Sequence, residues 1–287
     1  MDQLGLIAGN GQFPFIVARE ARKKGKEIVA VALKEEADPD LKNHVDKIHW
    51  VSLGQLGKII SLFKKEKVTE AVMAGQVKHN KLFANFSLDL KAIKLLASLR
   101  NKQTDSILSA IINEFEKSGI RFISSVTYLG GLIPGEGILT RAKPTSSEME
   151  DIRFGFRLAK KVSALDIGQT IIVKDKAVVA IEAMEGTDAS IMRAGSLAAP
   201  NGGKSGMVIV KISKLKQDLR FDVPVIGLKT VEVMHTAGAQ VLAFEAHKTL
   251  LFDKEYFVRL ADKYHLTIIG VSEKGMGTHL FEECPRY

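Results

Sequence analysis

The stretch LGLIAGNGQFP, residues 4–14, joins a short apolar run to a glycine-rich turn. The run from Leu4 to Ala8 predicts a buried strand, and Pro14 suits the first turn of a helix, where its missing N–H costs nothing. The turn between them consists of Gly9, Asn10, Gly11 and Gln12. A strand that passes through glycines into a helix is typical of phosphate-binding turns, because the backbone can approach the anion and the helix start supplies amide donors. A plain strand-to-helix turn is the alternative.

A second turn of the same kind follows the predicted strand Val68 to Ala74, at Gly75 and Gln76. The carboxyl ends of neighbouring parallel strands share one crevice, so we expect the two turns to line the same pocket. The first turn lacks the third glycine of the dinucleotide fingerprint, because Pro14 stands in its place. This departure argues against a nicotinamide-dependent oxidoreductase.

Strands and helices alternate through the first half of the chain, which favours a Rossmann-like parallel sheet. Residues 130–145, GGLIPGEGILTRAKPT, hold four glycines and two prolines and interrupt this pattern. A helix over 147–164 is expected next, with Ser147 and Glu150 as a capping box. Further on, β-rich segments include a hairpin that turns at residues 174–176. The sequence therefore predicts an α/β domain over 1–135, a linker over 136–145, and a mixed α+β domain over 146–287.

The composition is that of a folded chain without a membrane span: 287 residues, 46% hydrophobic, with short apolar runs. Cys284 is the sole cysteine, which fits a reducing compartment, and the start MDQLGLIAG has no cationic region of a signal peptide. We therefore expect a cytoplasmic protein. The net charge of +8 indicates either a well-solvated surface or attraction to an anionic partner such as a nucleotide or an acidic membrane face. No nucleic-acid-binding signature occurs, so a nucleic-acid partner is not expected.

Two stretches of the second half carry groups suited to phosphate chemistry. AIEAMEGTDA, residues 180–189, places three carboxylates around a Gly-Thr turn. Thr187 or Asp188 could cap a helix there, or the carboxylates could hold Mg²⁺ near a pyrophosphate. Lys211 and Lys214 precede Asp222 in the second stretch; they are either solvated lysines on a sheet edge or phosphate clamps beside a carboxylate that acts as base or metal ligand.

Taken in order, seven segments resemble the LpxI-type UDP-2,3-diacylglucosamine pyrophosphatases over nearly the full length. The segments are GLIAGNGQFP at the start, ADPDL at 37–41, LGQLGKI at 53–59, AGQV at 74–77, LDIGQ at 165–169, AIEAMEGTDA at 180–189 and FDVPVIG at 221–227. The segments around EGTDA and FDVP are far more specific than the glycine turn. A non-catalytic carrier of lipid or nucleotide is the remaining alternative.

The resemblance implies a Mg²⁺-dependent hydrolase of lipid A synthesis that splits UDP-2,3-diacylglucosamine into 2,3-diacylglucosamine 1-phosphate (lipid X) and UMP. It implies that Asp222 is the essential acid. We further expect Asp222 and Asp188 to be metal ligands, because acidic groups beside a Gly-Thr turn suit Mg²⁺ near a pyrophosphate. The substrate-binding residues expected from the matching segments are Gly9, Asn10, Gly11, Gln12, Gly75, Gln76, Thr187, Asp188, Lys211 and Lys214. A lipid substrate also implies peripheral attachment to the anionic inner face of the cytoplasmic membrane. Whether the protein forms a homodimer is left open by the sequence.

Overall fold

The computed structural model describes residues 2–77, 88–99, 104–199, 205–214, 218–221 and 223–276. The chain divides into two compact units, the first being Met1–Gly130 with Asp218–Asp222 and the second Gly131–Gln217 with Val223–Tyr287. The chain thus passes into the second unit after Gly130. The short segment 218–221 counts with the first unit, although the sequence analysis had assigned all of 146–287 to the second domain.

The first unit is built on a parallel sheet of five strands in the order β3-β2-β1-β4-β5, as the alternating pattern predicts. The strands are β1 Gln3–Ala8, β2 Glu27–Leu33, β3 Lys47–Val51, β4 Glu70–Ala74 and β5 Arg121–Phe122. β1 lies at the centre and pairs with both β2 and β4. Its central position explains why its residues from Leu4 to Leu6 are buried and mostly apolar.

Four helices accompany this sheet in the described residues: α1 Phe13–Lys23, α2 Leu56–Lys65, α3 Leu90–Ser98 and α4 Thr104–Glu116. α2 illustrates why these helices pack in the unit: its residues Ile59, Ile60 and Phe63 lie on one face of the helix and are buried in the apolar core. α1 begins at Phe13 with Pro14 in its first turn, as the position of this proline predicts. A short 3₁₀ turn spans Pro39–Asn43.

The second unit contains a mixed sheet of six strands in the order β6-β13-β11-β9-β7-β8. The strands are β6 Gly137–Ile138, β7 Thr170–Lys174, β8 Ala177–Ile181, β9 Val208–Lys211, β11 Val241–Glu245 and β13 Thr267–Val271; a separate parallel pair consists of β10 Val225–Ile226 and β12 Leu250–Leu251. β9, β11 and β13 are mutually parallel, whereas β7 runs antiparallel to β8 and β9. The predicted hairpin is therefore confirmed, with Asp175 and Lys176 at positive φ in its turn.

Helices cover both faces of this sheet. They are α5 Ser146–Ala164, α6 Thr187–Ala198, α7 Leu228–Thr236 and α8 Lys254–Lys263. α5 packs on one face through Ile152, Phe156 and Ala159, whereas residues of the other three helices join the apolar core on the opposite face. In the described residues of either unit, no helix combines the length and apolar character that crossing a membrane requires.

The capping box of α5 differs from the predicted pair Ser147 and Glu150. The Thr145 hydroxyl accepts from the Glu148 amide at 3.2 Å, and the Glu148 carboxylate accepts from the Thr145 amide at 2.7 Å. The helix consequently begins at Ser146. Both pairs have the required spacing of three residues, so the sequence pattern alone chose the wrong register.

A buried ion pair joins α5 to the end of β11. The Lys160 ammonium lies 2.7 and 2.8 Å from the two carboxylate oxygens of Glu245, and their side chains are 2% and 3% exposed. The same carboxylate accepts from the Ser213 amide at 2.9 Å and pairs with Lys248 at 2.8 Å. Burial raises the pKa of Glu245, but the hydrogen bonds from Lys160 and Lys248 outweigh it and hold this pKa below its ordinary value.

We expect Lys160→Met to lower the free energy of unfolding by about 3–5 kcal/mol, because it leaves the Glu245 carboxylate buried without its main counter-ion. Denaturant titration measures this change, and the neighbouring exposed residue supplies the matched control Lys161→Met, which should change stability by less than about 0.5 kcal/mol. Since the Glu245 pKa is lowered on folding, its stabilisation is present above the unfolded pKa near 4.5 and is lost as the pH falls further. Equal stability of the two variants would contradict this account.

Candidate functional sites at the sheet edges

The two glycine turns of the first unit are joined by backbone hydrogen bonds. The Gly9 amide donates to the Ala74 carbonyl at 2.8 Å, the Asn10 amide to Gln76 at 2.8 Å, and the Gln76 amide to Asn10 at 3.0 Å. Asn10 and Gln76 thus form an isolated antiparallel bridge beyond the ends of β1 and β4. The structure brings six of the predicted substrate-binding residues together at one edge: Gly9, Asn10, Gly11, Gln12, Gly75 and Gln76.

Gly9 and Gly75 allow the backbones of the two turns to approach each other closely. A Cβ at Gly9 would lie 2.6 Å from the Gln76 carbonyl oxygen, and one at Gly75 would lie 2.7 Å from that of Asn10. Gly75 and Gly11 also have positive φ, +93° and +92°. No atom of the described residues lies within 4 Å of where the Gly11 Cβ would be, near the start of α1. Gln12 precedes α1 and does not cap it with its side chain.

The segment 218–221 is fastened to the first unit by Ser125. The Ser125 amide donates to the Leu219 carbonyl at 2.9 Å, and its hydroxyl lies 2.9 Å from the Arg220 carbonyl and 2.6 Å from that of Met73 at the end of β4. Hydrogen bonds from Arg220 lower the pKa of Asp218. Asp222, the predicted catalytic acid and metal ligand, is the next residue after this segment in sequence and lies outside the described residues.

The polar groups of the second unit gather at one edge of its sheet. β8, β9 and β11 end there, and the antiparallel strand β7 begins there with Thr170, which is paired in register with Lys211 at the end of β9. Lys211 is paired in turn with Phe244 of β11. The carboxyl edge of parallel strands is where α/β proteins place ligands. Glu182, which follows β8, and Thr187, which begins α6, belong to this same edge.

A directed chain of hydrogen bonds connects three side chains at this edge. The buried Lys211 ammonium donates to the Thr187 hydroxyl at 2.6 Å, and that hydroxyl donates to a carboxylate oxygen of Glu182 at 2.8 Å. The direction follows from chemistry, because an ammonium only donates and a carboxylate only accepts. The hydroxyl of Thr170 lies 3.4 Å from that of Thr187. Thr187 therefore bridges a buried cation and a buried anion.

Neither Thr187 nor Asp188 caps α6, contrary to the simpler of the two sequence alternatives. The helix is preceded by Gly186 at a φ of +83°, and no described side chain caps it. The start of α6 therefore combines amide donors, the positive end of the helix dipole and the adjacent Lys211 ammonium. Such a combination suits the binding of an anionic group such as a phosphate.

Asp188 and Lys214 have partners of their own. One Asp188 oxygen accepts from the Thr230 hydroxyl at 2.9 Å, and the other lies 3.7 Å from the Lys229 ammonium at the start of α7. Lys214 pairs with Asp166 at 2.8 Å. The predicted residues Thr187 and Lys211 are thus in direct contact, whereas Asp188 and Lys214 are held by neighbours that the sequence analysis did not name.

The described residues do not by themselves make a complete site for a metal ion. Within these ranges, no group of three or more His, Cys, Asp and Glu side chains is arranged to hold one. To bind a metal ion through Oδ2, Asp188 would have to give up its ion pair with Lys229. The other predicted ligand, Asp222, lies outside the described part of the chain. The fit of Mg²⁺ to this protein therefore depends on residues that the structure does not describe.

Glu182 is not among the individually predicted site residues, because the sequence pattern presents it only as one of three carboxylates in AIEAMEGTDA. The sequence signal for Glu182 is its position directly after the predicted strand β8, within the segment AIEAMEGTDA.

The motif LDIGQ is explained by Gly168, since a Cβ at this position would lie 1.9 Å from the Glu182 carbonyl oxygen. LDIGQ thus needs its glycine so that the start of β7 can lie against Glu182.

The fold is that of a two-unit α/β protein, and each unit has a carboxyl edge of parallel strands, the kind of edge at which α/β proteins bind ligands. Two family models match the chain, the LpxI N-terminal domain over residues 3–132 and the LpxI C-terminal domain over 135–269. The UDP-2,3-diacylglucosamine pyrophosphatase LpxI of Caulobacter vibrioides is 31% identical over 277 residues, which cover 94% of this chain and 98% of that protein. The chain belongs to the LpxI family.

Similar solved structures are much more distant. Glycinamide-RNase-transformylase T from Mycobacterium tuberculosis matches with a TM-score of 0.25 and 12% identity, covering 63% of this chain and 44% of that one. N5-carboxyaminoimidazole ribonucleotide synthetase from Thermotoga maritima matches with a TM-score of 0.23 and 18% identity, covering 63% and 42%. This chain spans less than half of either structure, and likenesses this weak carry no information about its function.

We expect Gly75→Ala to lower the free energy of unfolding by more than about 2 kcal/mol, because the added methyl meets the Asn10 carbonyl in a left-handed conformation. Gly11→Ala is the matched control: it has nearly the same positive φ, but no described atom lies within 4 Å of the added methyl, so it should cost only about 1 kcal/mol. Thermal or denaturant unfolding of both variants checks this. Similar losses would mean that backbone strain, and not the contact of the turns, sets the requirement for glycine.

Proposed function

We propose that this protein hydrolyses UDP-2,3-diacylglucosamine to 2,3-diacylglucosamine 1-phosphate (lipid X) and UMP, a step of lipid A biosynthesis. The proposal takes its substrate from the name of the Caulobacter vibrioides relative, which is similar over nearly the whole chain. The observation that carries it is the buried Lys211 ammonium beside the start of α6. That pairing provides fixed positive charge and amide donors, which a pyrophosphate needs from a protein.

In the proposed reaction a water oxygen attacks one phosphorus of the pyrophosphate, and the bridging P–O bond breaks. One phosphate product keeps the bridging oxygen, the other gains the water oxygen, and a proton is released. The negative charge of the two phosphoryl groups repels the incoming water, so the main task of the protein is to neutralise and position them. Lys211 and the amides of α6 would do this, and Thr187 would hold Lys211 in place.

The remaining roles are proposals that start from the family-like segments. We propose Asp222 as the catalytic acid residue, which orients or deprotonates the water or holds the metal. When bound, Mg²⁺ would add charge neutralisation at the phosphoryl oxygens, with Asp222 and Asp188 as its proposed ligands. The turn residues Gly9, Asn10, Gly11, Gln12, Gly75 and Gln76, together with Lys214, are proposed to contact the substrate.

Purified protein with Mg²⁺ should release UMP from UDP-2,3-diacylglucosamine, measured by chromatography of the nucleotide products. Asp222→Asn keeps the shape but removes the charge, so we expect turnover to fall by about 10²–10⁴-fold. Lys211→Met should also reduce turnover, because positive charge is lost where the transition state needs it. The control Lys176→Met alters a lysine whose partner is Glu150, on the exposed surface, and should leave turnover unchanged. No UMP release by the wild-type protein would overturn the proposed function.

We also propose that the protein attaches peripherally to the anionic inner face of the cytoplasmic membrane, where a diacylated substrate resides. The support comes from α3, in which Leu90 and Ile93 are 78% and 47% exposed. With the exposed residues Lys94 and Ala97 they form a stripe at helical spacing, opposite the buried residue Leu95. An exposed apolar stripe with a lysine in it suits the surface of an anionic bilayer.

Replacing both Leu90 and Ile93 by Glu should weaken co-sedimentation with vesicles of anionic phospholipid, because the change removes apolar contact and adds repulsion. Binding of the wild-type protein should fall as the salt concentration rises. The matched control replaces Leu165 and Ile167, two exposed apolar residues after α5, by Glu. Equal loss in both double variants, or wild-type binding that is as strong on neutral vesicles, would contradict this role for α3.

A further inference from the structure

Glu182 has a buried carboxylate oxygen without a partner. The residue is 7% exposed. Its Oε1 accepts from the Thr187 hydroxyl, whereas its Oε2 is shielded from solvent and has no hydrogen-bond partner in the described residues. Leaving a charged acceptor unsatisfied in the interior is costly, and buried polar groups without partners in native proteins call for an explanation.

The surroundings keep this oxygen in its place. The Glu182 amide donates to the Thr170 carbonyl at 2.9 Å, and Gly168 approaches the Glu182 carbonyl so closely that a Cβ would not fit. The carboxylate is held from the other side by Thr187, which is itself held by Lys211. The side chain therefore cannot turn outward to water without breaking the chain of hydrogen bonds that includes Lys211.

The chemistry of a matching ligand group follows from the charge. A carboxylate oxygen accepts hydrogen bonds and repels phosphate oxygens, so the partner that an anionic nucleotide or sugar phosphate can offer it is a hydroxyl or an amide N–H. This donor would lie next to the phosphate that Lys211 and the start of α6 are suited to bind. Both halves of UDP-2,3-diacylglucosamine carry such donors near a phosphate.

We infer that Glu182 is a substrate-binding residue whose Oε2 accepts a hydrogen bond from a hydroxyl or amide N–H of the ligand, beside the phosphate bound at Lys211. The inference rests on the proposed function for the identity of the ligand. It gives the edge of the second sheet two opposite requirements, an anion at Lys211 and a neutral donor at Glu182. A ligand with a phosphate but without the adjacent donor would leave Oε2 unsatisfied and bind less tightly.

The test measures binding of UMP and of 2,3-diacylglucosamine 1-phosphate separately, by calorimetry, to the wild-type protein and to Glu182→Gln. Glutamine keeps an oxygen for Thr187 but places a donor where the ligand needs an acceptor. We expect about a 10- to 100-fold loss of affinity for one of the two ligands and less than a twofold change for the other. The affected ligand identifies which half of the substrate supplies the donor.

Asp151→Asn is the matched control. Asp151 is also buried, but its carboxylate accepts from the amides of Asp175 and Lys176 in the β7–β8 turn. It should lower the melting temperature and leave both affinities unchanged. Glu182→Asp, which keeps the charge on a shorter side chain, serves if the glutamine variant does not fold, and it should weaken binding of the same single ligand.

Affinities of Glu182→Gln that equal those of the wild type, with only a lower melting temperature, would overturn the inference and make the residue structural. That result leaves the proposed hydrolysis intact if the wild-type protein still releases UMP. Conversely, Glu182-dependent binding by a wild-type protein that releases no UMP would support the inference and overturn the proposed function. Equal loss of affinity for both ligands would also contradict the inference, because it places the hydrogen-bond donor in only one half of the substrate.

Discussion

The buried ion pair between Lys160 and Glu245 is the constraint on which the candidate site at the edge of the second sheet depends. Glu245 ends the central strand β11, and Lys160 reaches it from α5 on one face of the sheet. Because the same carboxylate also accepts from the Ser213 amide, it fixes the chain just after Lys211. A buried pair of this kind contributes little net stability over an apolar replacement, but each partner is costly to lose alone. Its value here is positional, since it holds the end of β9 where Lys211 can meet Thr187.

Strand direction explains why the polar residues described above lie at one edge of the sheet in each unit. In the first sheet all five strands are parallel, so the turns after β1 and β4 lie side by side and their backbones pair directly. In the second sheet the parallel strands bring Lys211 and Glu245 to one edge, and the antiparallel strand β7 adds Thr170 to it. The two edges differ in kind: glycine and backbone amides dominate the first, whereas charged side chains linked by a threonine hydroxyl dominate the second.

Much of this architecture could be predicted from the sequence. The apolar runs predicted strands β1 and β4 of the first sheet, and the turn at residues 174–176 predicted the β7–β8 hairpin. Both patterns depend on local chemistry. β3 was missed since Lys47 and His49 alternate with apolar residues on a half-buried edge strand, which weakens the apolar signal. The capping box was placed two residues late because two pairs share its spacing.

What the sequence could not supply were contacts between distant residues. The attachment of 218–221 to the first unit depends on Ser125, which lies 95 residues before Arg220, and no local pattern indicates it. The role of Glu182 likewise depends on Thr187, Lys211 and the close approach of Gly168, which come from three separate elements. The segment containing Glu182 was singled out from its composition, but only the packed structure shows which of its carboxylates is buried and has one oxygen without a hydrogen-bond partner in the described residues.

The central claim is that the edge formed by Lys211, Thr187 and Glu182 binds a phosphate of the substrate's pyrophosphate group. A crystal structure of the protein with UMP or 2,3-diacylglucosamine 1-phosphate bound tests it most directly. The account predicts a phosphate oxygen within hydrogen-bond distance of the Lys211 ammonium and of an amide at the start of α6, with a hydroxyl or amide N–H of the ligand against Glu182 Oε2. Clear density for either ligand with its phosphate away from Lys211 and α6 would contradict it.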